Sequence, residues 1–179
     1  MLNTGLKLNM INSLDTKKIQ KLANQANVSI MVGYPSGRQH VPTLHRENRK
    51  EDFKGYNGEA KEDIKPIDVA ELARDLHFGT ATIPARPFLE DGIRSKEPQI
   101  RKAFEEEVKK VEDGKAANWA KIGTMAVGAV QELVRSDFYK SSIPNSQKTI
   151  DYKGSDTPLI DGGDMLNQLT FLVNGVEHK

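Results

Sequence analysis

The apolar positions of this 179-residue chain fall into helix-period and strand-period stretches separated by one long polar interval. Leu14, Ile19, Leu22, Ala23 and Ala26 line one side of an expected amphipathic helix over 15–25, with Ser13 or Asp15 as its cap. VSIMVG, from Val28 to Gly33, is too short for anything but a strand and is stopped by Gly33 and Pro35. Asp68 and Glu71 have the spacing of a capping box. Val69, Leu72, Ala73 and Leu76 follow at i, i+3, i+4 and i+7, which predicts a short one-faced helix ending at Leu76 or His77. Phe88, Leu89 and Ile93 begin another, and Pro98 suits the first turn of a third, in which Ile100, Phe104, Val108 and Val111 run to Gly114. The strongest period belongs to Trp119, Ile122, Ala126, Val130, Leu133 and Val134. It predicts a long core helix over about 116–136, in which Gly123, Gly128 and Ala129 leave room for close backbone approach. Near the C-terminus, the run 168–173 alternates Leu169, Phe171 and Val173 inward against Thr170 and Leu172, a strand ending at Asn174-Gly175.

The pattern therefore predicts an α+β fold: a small, mainly antiparallel sheet packed against helices, one of them long. The sheet needs more than two strands, and 81–83 and 149–152 are the candidates for the others. Between Pro35 and Pro66 no period is sustained and charges of both signs are mixed, so a long polar loop or arm is expected on a single domain spanning 1–179. The hydrophobic fraction of 37% with 14 glycines is at the low edge of globular usage and adds little to this picture. Charge changes it more. With 26 basic and 25 acidic residues there is no overall field to attract nucleic acid or an anionic membrane, so partners must be recognised locally. The absence of cysteine excludes disulfides and thiolate metal sites, and the lack of a long apolar run predicts a soluble, cytoplasmically made protein with no membrane partner.

Candidate chemistry is sparse. His40 and His45 share the polar interval with Glu47, but ligands need a fixed shell, and no metal site is expected there. Asp156, Asp161 and Asp164 lack calcium-loop spacing and read as turn and cap formers, Asp161 capping a short helical turn at 162–166. No nucleophile elbow or phosphate loop is present, so no catalytic residue and no cofactor are expected. The most specific stretch is HFGTATIPARPF, from His77 to Phe88. Gly79 offers a positive φ, while Pro84 and Pro87 make Ile83 and Arg86 extended, so that Arg86 projects from a stiff backbone. A preset guanidinium suits either an internal pair with Glu90, Asp91 or an acid of the last segment, or a contact with a neighbouring subunit.

HFGT, then IPARPF, and much later SDTPLIDGGDMLNQLTFLV together resemble the tail-completion (neck, or virion-morphogenesis) family of tailed bacteriophages over about 69–173. The family pattern has an acidic residue where this chain has His77, and D-T-G-R where it has Asp161-Gly162-Gly163-Asp164, so no role of that arginine is carried over. The resemblance implies a non-enzymatic virion protein at the neck or tail-completion ring, made in the host cytoplasm and joining tail to capsid around the DNA channel. Its implied partners are further copies of itself in a ring, often sixfold, other neck, connector and tail proteins, and nonspecifically the DNA in the channel. The candidate contact residues are Arg86, Phe88, His77 and Phe78 at the corner, and Arg38, Arg46 and Arg49 in the polar interval. Two competitors are a nucleic-acid-binding module built on that basic cluster and a hydrolase using His77 with an aspartate. Balanced charge weighs against the first, and the missing nucleophile motif against the second.

Overall fold

The computed structural model describes residues 27–40 and 66–178, with only the backbone of Tyr152. The expected helix at 15–25 and most of the polar interval, with His45, Arg46 and Arg49, lie outside the described residues. The fold is α+β. In chain order the elements are β1 (Ile30–Gly33), β2 (Gln39–His40), β3 (Ile67–Asp68), α1 (Val69–Phe78), α2 (Phe88–Ser95), α3 (Glu97–Glu112) and α4 (Trp119–Arg135), followed by α5 (Phe138–Ser142), α6 (Gln147–Lys153), α7 (Asp164–Gln168), β4 (Thr170–Val173) and β5 (Val176–His178). The described residues form two compact units, the first of 27–35, 87–133 and 169–178, the second of 36–40, 66–86 and 134–168.

In the first unit, an antiparallel sheet in the order β1-β4-β5 places Val32 opposite Phe171 and Phe171 opposite His178. The β4–β5 hairpin turns at Asn174 and Gly175, both at positive φ (50° and 84°), as a two-residue turn between twisted strands requires. The Asn174 side chain also accepts a hydrogen bond from the Ser29 backbone at 2.8 Å, which fixes the sheet edge. α4 buries Ile122, Ala126, Ala129 and Val130, and its glycines are not equivalent. A Cβ on Gly123 would lie 2.0 Å from the Phe171 ring, and one on Gly92 of α2 would lie 2.6 Å from the Val130 Cα. One on Gly128 would meet only open space. Close approach therefore uses Gly123 but not Gly128.

Other details of this unit depart from the apolar pattern. Trp119 is half-buried at the start of α4, its ring centroid 5.4 Å from that of Phe104, and Val111 is exposed in the last turn of α3. Strand β4 begins at Thr170 rather than 168 because 164–168 is helical. Thr170 is buried and its hydroxyl donates to the His178 carbonyl, while Leu172 and Val173 are only half-buried. Glu107, on α3, is fully buried: it accepts from Lys110 Nζ at 2.8 Å and from the Asn118 backbone at 2.7 Å. These two bonds, the lysine's first, hold its pKa below the ordinary glutamate value despite burial.

The second unit begins with the two-residue ladder β2–β3, in which Gln39 faces Asp68 and His40 faces Ile67. Asp68 caps α1, its Oδ1 accepting from the Ala70 backbone at 2.8 Å and from Glu71 at 3.4 Å. Neither extra strand expected from sequence is one. Residues 81–83 are a bend, because the Thr80 hydroxyl accepts from the Thr82 and Ile83 backbones and occupies N–H groups that a ladder would need. Residues 149–152 lie inside α6, which is bracketed by Ser146, accepting from the Thr149 backbone, and by Gly154 in the left-handed conformation (φ 67°). The third strand of the main sheet is instead β5, the short return from Asn174-Gly175.

Candidate functional site

The second unit carries a half-open cavity of about 690 Å³, built around the end of α1 and the corner that follows. Gly79 ends the helix at φ 76°, and a Cβ there would lie 2.8 Å from the Ala85 backbone nitrogen and 2.9 Å from the Ile83 carbonyl. Only glycine permits that conformation and that approach together. The chain folds back so that the Arg86 backbone donates to the Leu76 carbonyl at 2.9 Å, which replaces a hydrogen bond lost at the helix end. The Arg86 side chain is buried. Its Nε donates to the Ile143 carbonyl at 3.0 Å and its Nη2 to the Pro144 carbonyl at 3.1 Å, so the guanidinium ties the corner to the turn after α5.

The cavity lining has three chemical parts. Leu72, Leu76, Ile83, Leu159, Ile160 and Met165 give it aliphatic walls. Arg86 and Lys153 bring two cations, and the Lys153 ammonium donates to the Thr157 carbonyl at 2.8 Å. Burial lowers the pKa of both. For Lys153 the Asp161 charge opposes that lowering and the Arg86 charge reinforces it. The third part is His40 with Asp161. His40 is buried, with Nδ1 3.1 Å from Asp164 Oδ2 and Nε2 3.5 Å from Asp161 Oδ2. Asp161, read from sequence as a turn former, thus has one carboxylate oxygen facing a histidine. Leu159 stands at φ 63°, a left-handed conformation that costs a non-glycine residue about 1–3 kcal/mol and persists only where its surroundings impose it.

The residues singled out from sequence are scattered by the fold. Arg86 lies in this cavity wall, on carbonyls and not on a carboxylate. His77 is buried in the last turn of α1 with its ring edge-on to Phe78 at 4.7 Å, while Phe78 itself is 61% exposed. Phe88 belongs to the core of the first unit, 6.4 Å from the Tyr34 ring. Arg38 donates to the Gln168 carbonyl at 3.2 Å, and its own carbonyl accepts from the Val69 backbone; Arg46 and Arg49 lie outside the described residues. His40, Lys153 and Asp161 were not foreseen as cavity residues. The available signal was the apolar run Pro158-Leu159-Ile160 ahead of Asp161, which marks a segment with a buried face.

The Ser146 hydroxyl, the serine of the lining, is engaged by the Thr149 hydroxyl at 2.9 Å and caps α6. Among the described residues no three histidine, aspartate or glutamate side chains are arranged to hold a metal ion. Comparison with protein-family models found no match to this chain, and neither the curated proteins nor the solved structures gave one.

Proposed function

We propose that this chain is a structural, non-enzymatic protein of a tailed-phage virion, acting at the head–tail neck or tail-completion ring as a homo-oligomer. The supporting observation is where the resembling segments lie. Ile83, Pro84 and Arg86 of IPARPF, and Leu159, Ile160 and Asp161 of TPLIDGG, are far apart in sequence yet line the same cavity of the second unit. Segments that converge on one structural feature behave as one motif, which is what a family signature would have to be. The corner also ends in an outward feature suited to a subunit contact: Phe78 is an exposed aromatic on a helix end fixed by Gly79 and by the Arg86 backbone bond. A closed ring needs two different faces on each chain, and a rigid aromatic at one of them fits the anchor role.

The test is genetic and visual. Removing the coding sequence from the phage genome that carries it should leave filled heads and finished tails that do not join, seen by negative-stain microscopy. Phe78→Asp should yield a folded chain with the same assembly defect. Normal titres of joined particles from the deleted genome would overturn the proposal. The nucleic-acid reading gains no support from Arg38, the described member of its basic cluster, which is held on the Gln168 carbonyl.

A further inference from the structure

The cavity of the second unit is electrostatically incomplete. Among the described residues, the hydrogen bonds of Arg86 and Lys153 go to carbonyl oxygens alone: Ile143 and Pro144 for the guanidinium, Thr157 for the ammonium. Carbonyls satisfy the N–H directions but carry no net charge, so the positive charge of the two side chains is left without a directly paired anion. Asp161 contributes one negative charge to the same lining and divides it with His40. Among the lining residues two cations stand against the Asp161 carboxylate, and Asp156, which also acts on Lys153, is itself paired with Lys140 at 2.7 Å, so one positive charge is in excess. That balance favours a monoanion over a dianion such as phosphate, which Asp161 would repel. The remaining walls are aliphatic, and the volume of about 690 Å³ is that of a site for a small organic ligand or a few residues of peptide. The left-handed Leu159 is a further sign that the wall is held in a shape that folding alone does not favour.

We propose that this cavity binds a carboxylate carried on an aliphatic body, the carboxylate meeting Arg86 and Lys153 and the aliphatic part packing on Leu72, Leu76, Ile83 and Met165. A free aliphatic acid and a polypeptide C-terminus ending in an aliphatic residue share this chemistry. The site stands independently of the assembly role, which is read from particles and not from ligand binding.

Isothermal titration calorimetry of the full chain with octanoate, octylammonium and octanol tests the charge and the aliphatic body together. An N-acetylated tripeptide ending in leucine, as free acid and as amide, tests the second source. At least one carboxylate should bind at one site per chain, with the matching ammonium, alcohol or amide weaker by about tenfold or more, the worth of one charge-assisted bond. Binding by octanoate alone identifies a small acid, and binding by the peptide acid alone identifies a chain end; both support the site. Lys153→Gln should weaken the carboxylate by a similar factor with an unchanged circular dichroism spectrum. Should that variant fail to fold, the comparison of charged and neutral probes on the wild-type chain decides. Absence of heat with either carboxylate, or equal binding of octanoate and octylammonium, would overturn the proposal, as would a folded Lys153→Gln that binds like wild type.

Discussion

Replacing Arg86 with alanine separates a residue that holds its own fold from one kept for a partner. In the structure the guanidinium makes two hydrogen bonds to carbonyls, at 3.0 and 3.1 Å, from a side chain that is 4% exposed. A bond from a charged donor contributes about 1.5–3 kcal/mol, so losing both would cost about 3–6 kcal/mol if the carbonyls stayed dry. Pro144 borders the cavity, where water can reach its carbonyl, and the cost of burying the charge is relieved, so about 3 kcal/mol is expected. Tryptophan fluorescence is the wrong probe, because Trp119 belongs to the first unit. Amide hydrogen exchange read by mass spectrometry resolves the two units. Arg86→Ala should speed exchange of the most protected amides in 66–86 and 138–168 by about a hundredfold, at roughly tenfold per 1.4 kcal/mol. Arg86→Lys should recover only part of this, since a compact ammonium lacks the planar fork that reaches two acceptors. Wild-type exchange in Arg86→Ala would refute the account of this corner as internally held.

On α4, Gly128→Ala should stabilise by about 1 kcal/mol, the helix-propensity difference, whereas Gly123→Ala should destabilise by about 1–3 kcal/mol or more because its methyl would strike the Phe171 ring; urea melts compare the two. Tyr34→Phe should raise stability by about 1 kcal/mol, since the Tyr34 hydroxyl is buried with no hydrogen-bond partner among the described residues, and a midpoint unchanged or lowered in urea would count against that. Glu107 has a folded pKa below its unfolded value, so the stability it contributes is fully present above the ordinary value of 4.5 and is lost as pH falls through the lowered folded value. Glu107→Gln should therefore cost most near neutral pH and progressively less in acid, and a cost independent of pH between 7 and 3, as melts over this range would show, would contradict the assignment.

Period carried most of the helices. The apolar stripes that predicted α1, α3 and α4 describe buried faces, and the Asp68 cap was readable from the capping-box spacing of Asp68 and Glu71. What was not readable depends on side chains that compete with the backbone. Thr80 and Ser146 each divert N–H groups from a possible strand, and Ser146 begins α6 with too few apolar residues to show a stripe. Gly123 and Gly128 are five residues apart on one helix and indistinguishable as sequence; which of them faces the sheet depends on helix phase relative to Phe171. Nothing in the sequence marked Glu107 as buried, because its partner, the Asn118 backbone, arrives from beyond the turn at Gly114. The cavity was hidden for a similar reason: its cations and its Asp161 come from segments with no shared sequence spacing.

The same geometry divides the labour within the HFGT and IPARPF stretches. Gly79 is required by its φ and by the backbone it approaches, Thr80 by its turn, and Arg86 by the carbonyls of Ile143 and Pro144. Each is accounted for by folding of the second unit before any partner is considered. Phe88 is accounted for in the same way by the core of the first unit. An exposed aromatic ring contributes little to folding, so Phe78 is the member of the stretch whose position the fold does not explain. In the assembly role proposed for this chain, Phe78 would be the residue that makes the contact, with Arg86 fixing the backbone that presents it. Substitutions at the two positions should separate accordingly: at Arg86 assembly should fail because the second unit loosens, and at Phe78 it should fail on an intact fold.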